Sequence, residues 1–68
     1  MGKSEILKIL EWFARRGFEL QTHKDSDGNV WADLVGDSTG KVVAPRYGKG
    51  KTEAEAVRRA RERFRQEQ

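Results

Sequence analysis

Two groupings in this chain have residue types and spacing suited to chemistry. The first is Gly48-Lys49-Gly50-Lys51-Thr52. Glycines let a backbone approach an anion closely, lysines supply charge, and a hydroxyl residue opening a helix lies beside the helix's unpaired N–H groups. The segment is a candidate phosphate grip, extended by Arg46, Tyr47, Arg58 and Arg59. A nucleotide-hydrolysing loop would carry Gly five residues before Gly50, but Pro45 stands there, so nucleotide hydrolysis is not expected. The second grouping is His23 with Asp25, Asp27 and Asn29. An imidazole can serve as a general base near neutral pH, but a lone His on a strand reads as a surface residue. A calcium loop begun at Asp25 needs Gly at its sixth position and Glu at its twelfth. Gly28 is the fourth residue and Gly36 the twelfth. No catalytic residue, metal or cofactor is therefore expected, and no small-molecule substrate.

Composition sets the frame for these groupings. Sixty-eight residues make one small domain, residues 1–68, too short for a two-lobed enzyme or a doubly wound nucleotide-binding sheet. Without Cys there are no disulfides or thiolate metal sites. No apolar run approaches the ~20 residues of a membrane span, and none follows the basic start as a secretory leader would. A cytoplasmic domain with no membrane partner is the expectation. The net charge of +3 is unevenly placed. Residues 1–40 hold five Lys/Arg against seven Asp/Glu, whereas residues 41–68 hold nine against four. A basic second half of this kind suits an anionic partner.

The elements that must position these residues follow from periodicity. Ile6, Leu7, Leu10, Phe13 and Ala14 fall on one helical face after a possible cap at Ser4, and Arg15-Arg16-Gly17 is a stop signal. A first helix is expected over about residues 5–16. The period then changes to two: Phe18, Leu20 and Thr22 alternate with polar residues, as do Val30, Ala32 and Leu34. Turns at 25–29 and 36–40 join three antiparallel strands, the third over residues 41–47 and marked as an edge by Pro45. Gly48 to Lys51 reads as a flexible basic loop. Thr52 and Glu55 form a capping box for a second helix over about residues 53–66, with Ala56, Val57, Ala60 and Phe64 inward. The expected fold is α+β, in the order α-β-β-β-α, with two helices on one face of a three-stranded antiparallel sheet. Phe13, Phe18 and Phe64 belong to its core. Trp12 and Trp31 are expected on outer faces, where they suit a protein contact.

The order of elements, with Gly48-Lys49-Gly50-Lys51-Thr52 opening the last helix and Ala56 and Ala60 four apart, resembles a double-stranded RNA-binding domain. In that family a Gly-x-Gly-x-Ser segment leads into a helix whose first lysines grip phosphates across the RNA major groove. Gly48, Gly50, Thr52 and Ala56 match that pattern, while the family's lysine pair falls on Glu53 and Ala54. Residues 5–47, through Glu5-Ile6-Leu7-Lys8-Ile9-Leu10, Gly17-Phe18-Glu19-Leu20 and Gly40 to Gly48, are similar to the HicA-type small toxins, which are mRNA interferases of the same fold. Asp25, Ser26 and Asp27 occupy the place of their catalytic His, and His23 lies a few residues earlier.

Three functional expectations result. The first is a non-catalytic nucleic-acid-binding domain, RNA favoured, holding phosphates with Lys49, Lys51, Thr52 and the start of the second helix, aided by Arg46, Tyr47, Arg58 and Arg59. The second is a protein-interaction module of a phage or toxin–antitoxin type system that uses Trp12 and Trp31. The third is a degenerate HicA-like ribonuclease that depends on His23.

Overall fold

The computed structural model describes residues 2–68, with side chains from Ser4 onward. Helix α1 (Gly2–Ala14) begins earlier and ends earlier than periodicity suggests. Ser4 lies inside the helix and not at its cap. Gly17, at φ 84°, ends the segment as expected, and the Arg16 guanidinium donates to the Trp12 carbonyl at 2.8 Å, satisfying one of the last carbonyls of the helix. The buried face of α1 is also turned from the expected one. Ile9 and Phe13 are fully buried, with Ile6, Leu10 and Trp12 packed partly against the core, whereas Leu7 is 60% exposed and Ala14 lies at the surface. At 100° per residue this is a rotation of roughly 70°, toward the side where the second helix lies.

Strands β1 (Phe18–Lys24), β2 (Val30–Gly36) and β3 (Val42–Gly50) form an antiparallel sheet in the order β1-β2-β3. β1 and β2 pair without interruption from Phe18 opposite Gly36 to Lys24 opposite Val30. β3 is longer than expected, because Gly48, Lys49 and Gly50 belong to the strand and pair with Ala32, Trp31 and Val30. They are not a flexible loop. The β2–β3 register shifts between Ala32 opposite Gly48 and Leu34 opposite Ala44, so that Asp33 faces three residues, Pro45 to Tyr47. Arg46 takes up the surplus with φ 53°, an uncommon conformation for a residue other than Gly. Its N–H donates to Asp33 Oδ1 at 2.8 Å.

Helix α2 (Glu53–Glu67) follows at once, and its buried residues are Ala56, Val57, Ala60 and Phe64, as the sequence pattern predicts. Both helices cover one face of the sheet: Leu20, Ala32, Leu34 and Tyr47 join Ile9, Phe13 and the four inward residues of α2 in one cluster. Phe64 is its hub, with edge-to-face contacts to Trp12, Phe13 and Phe18 at centroid distances of 5.3–5.5 Å. No helix among the described residues is long and apolar enough to cross a membrane.

Candidate nucleic-acid interface

The start of α2 is built by reciprocal capping. Thr52 is the N-cap residue, in extended conformation, and its hydroxyl accepts from the Glu55 N–H at 3.2 Å. The Glu55 carboxylate reaches back and accepts from the Lys51 N–H at 2.9 Å. Glu53 accepts from the Thr22 hydroxyl at 2.6 Å, tying the helix start to β1. Two carboxylates thus stand where the helix dipole favours negative charge, and the Thr52 hydroxyl is committed to the cap. The two glycines serve packing. A methyl group on Gly48 would meet the Ala60 nitrogen at 2.8 Å, and one on Gly50 would meet the Glu55 Cβ at 2.6 Å. Neither glycine needs a positive φ; each lets α2 lie close against β3.

This packing brings Lys49, Lys51 and Arg59 around one surface cleft of about 400 Å³, completed by Asn29, Gly50 and Glu55. Three cations face one carboxylate there, and that carboxylate is held by the Lys51 N–H and lies 4.0 Å from Arg59. Lys49 also belongs to a second grouping, on the face of the sheet turned away from the helices. There Trp31 is partly buried, with the Lys49 ammonium and the Arg46 guanidinium each 5.1 Å from its ring centroid. The indole N–H donates to Asp25 Oδ2 at 2.7 Å, while Asp25 Oδ1 accepts from the N–H groups of Asp27 and Asn29, both at 3.0 Å. The Trp31 hydrogen bond, then the two backbone N–H groups, hold the Asp25 carboxyl below its usual range, although partial burial acts the other way. His23, opposite Trp31 in register, contacts Asp33 at 3.4 Å.

The remaining expected site residues lie elsewhere. Tyr47 is not available to a phosphate. Its ring is buried, and its hydroxyl donates to Glu67 at 2.5 Å. Burial first, then the Glu67 carboxylate, pushes its phenol up to about 12. Arg58 turns toward α1 and pairs with Glu5 at 2.8 Å. Trp12 is not on an outer face: α2 covers it through Phe64, and Arg16 lies 3.6 Å from its ring centroid. Asp25, Asp33 and Asn29 were missed as members of the site. An Asp opening a turn three residues before a Gly-Asn pair was the available signal for Asp25. Nothing local marks Asp33, whose role depends on the bulge in β3.

Among the described residues no cluster of His, Asp and Glu is placed to hold a metal ion. No protein-family model matches the chain, and no curated protein or solved structure does either.

Proposed function

We propose that this domain binds nucleic acid, RNA favoured, without cleaving it. The observation that carries the reading is the convergence of Lys49, Lys51 and Arg59 on one cleft, continued through Lys49 to Trp31 and Arg46. Cations from the end of β3 and from α2, gathered around glycine backbone, suit a phosphodiester backbone, whose phosphates are regularly spaced anions. The α-β-β-β-α order supports RNA over DNA, through the likeness to double-stranded RNA-binding domains. Phosphates are held here by strand and helix side chains, since the helix start is already occupied by Glu53 and Glu55. With about four phosphate contacts, affinity in the micromolar to tens-of-micromolar range is expected at physiological salt, and it falls steeply as salt rises. A cytoplasmic location accords with this reading.

The test is a titration of RNA 12-mers, single-stranded and duplex, into isotope-labelled protein at low salt. Amide shifts centred on residues 46–51 and Arg59 are expected, and their absence would sink the proposal. Lys49→Glu with Lys51→Glu should abolish binding while leaving the spectrum folded, because both side chains are exposed. The RNA should remain intact throughout. Cleavage lost on His23→Ala would favour the ribonuclease reading.

A protein-interaction role has one observation in its favour. Leu7, Leu10, Ala14, Phe18 and Leu20 line a largely apolar groove of about 410 Å³ between α1 and β1. A dimer by sedimentation that dissociates on Leu7→Glu would support that reading over nucleic-acid binding.

A further inference from the structure

We infer that Trp31 is a stacking platform for an unpaired base, so that the preferred ligand is a single strand and not a duplex. This rests on the nucleic-acid reading and specifies the ligand, departing from the duplex that the likeness to double-stranded RNA-binding domains implies. Three features of Trp31 set it apart from the other aromatic residues. It is on the sheet face that the helices leave uncovered, and none of the aromatic–aromatic contacts among the described residues involves it. Its orientation is fixed by the indole bond to Asp25, and Asp25 is itself held by two backbone N–H groups of the turn. A ring immobilised before binding loses little freedom when a base settles on it. Finally, the two cations over the ring stand off from it. Arg46 and Lys49 stand 5.1 Å from its centroid, beyond the ~3.5–4.0 Å of face contact, whereas Arg16 lies at 3.6 Å on Trp12.

Lys49 makes the connection to the cleft. It flanks Trp31 on one side and lines the Lys51–Arg59 cleft on the other. Lys51 follows Lys49 by two residues, just beyond the end of β3, and both line the cleft, so they offer two successive cationic positions leading away from the ring. A strand whose base lies on Trp31 would run its backbone along these lysines toward Arg59. This is the usual combination for sequence-tolerant single-strand binding, an aromatic surface for the base and a basic groove for the backbone. In a duplex the bases are stacked on each other and cannot reach a ring on a sheet surface.

The experiment uses a Trp12→Phe background, so that emission reports Trp31 alone, with three probes: a uridine 12-mer, the same strand in an RNA duplex, and inorganic polyphosphate. The uridine 12-mer should quench Trp31 emission, whereas the duplex and polyphosphate should not. Trp31→Leu should weaken 12-mer binding about tenfold or more and leave polyphosphate binding unchanged, and Trp31→Phe should restore most of the loss. Binding of the 12-mer that depends on Lys49 and Lys51, with no quenching and no effect of Trp31→Leu, would overturn this inference and leave the proposed function standing. Failure of every RNA to bind would overturn both. The quenching readout uses an intact Trp31 and does not depend on the folding of the leucine variant.

Discussion

Replacing Gly48 with Ala separates a glycine kept for helix packing from one kept for an anion. In the structure a methyl group at Gly48 would meet the Ala56 carbonyl oxygen, the Ala60 nitrogen at 2.8 Å and the Ala60 Cβ at 2.9 Å. Ordinary contacts between carbon atoms lie near 3.5–4.0 Å, and the Ala56 oxygen is the nearest of the three, so α2 must withdraw from β3 by roughly 1 Å. None of the three atoms can swing aside, since two are backbone and the third is a Cβ. The same movement loosens Ala56, Val57 and Phe64, which lie on the buried face of α2. Overpacking of this kind costs about 3 kcal/mol, against a total stability of about 3–10 kcal/mol for a domain of this length. The melting temperature should fall by about 12–24 °C. Gly28→Ala is the control: with φ 82° and no atom within 4 Å of the added methyl, it should cost only the conformational strain, about 1–2 kcal/mol. Thermal and urea melts of the two variants supply the comparison. A Gly48→Ala loss below 1 kcal/mol, or one smaller than that of Gly28→Ala, would refute the packing argument.

Two further perturbations test the elements that frame the interface. Thr52→Ala should destabilise the domain by about 1 kcal/mol in a urea melt and speed hydrogen exchange at the Glu55 amide, its hydrogen-bond partner. For Tyr47, the folded phenol titrates at about 12 against an ordinary value near 10. The protonated hydroxyl therefore contributes stability that is complete below pH 10 and is lost as the pH rises from about 10 to 12. Urea melts across that range should show a decline that Tyr47→Phe largely lacks, at the cost of about 1 kcal/mol near neutral pH.

What was legible in the sequence was whatever depends on near neighbours. The α2 stripe, the Thr52–Glu55 box and the strand alternation at Leu20, Ala32 and Leu34 all follow from spacing within one element. What depends on another element was not legible. The face of α1 is set by where α2 lies, so Ile9 is buried and Leu7 is not. Trp12 looks outward on a helical wheel, yet it meets Phe64 across the helix pair. The glycines at 48 and 50 have the composition of an anion loop, but Ala60 and Glu55 decide their role. Ala56 and Ala60, read as small residues permitting close approach, were the other half of that contact. Tyr47 entered the core because the Arg46 bulge reset the strand's alternation, and a bulge leaves little trace in local pattern. The same bulge placed Asp33 and Arg46 beside each other.

That bulge also makes the two edges of the sheet unequal. At Pro45 the outer edge of β3 has no N–H, and at Arg46 the N–H is turned inward to Asp33. Two successive positions therefore withhold the donors that an added strand would need. β1 has no Pro and pairs regularly with β2 along its whole length, and its outer edge stays open. Lateral growth of the sheet is thus possible from one side only. Two copies joined through β1 would present a blunted β3 at both ends, which allows a closed pair and stops a fibre.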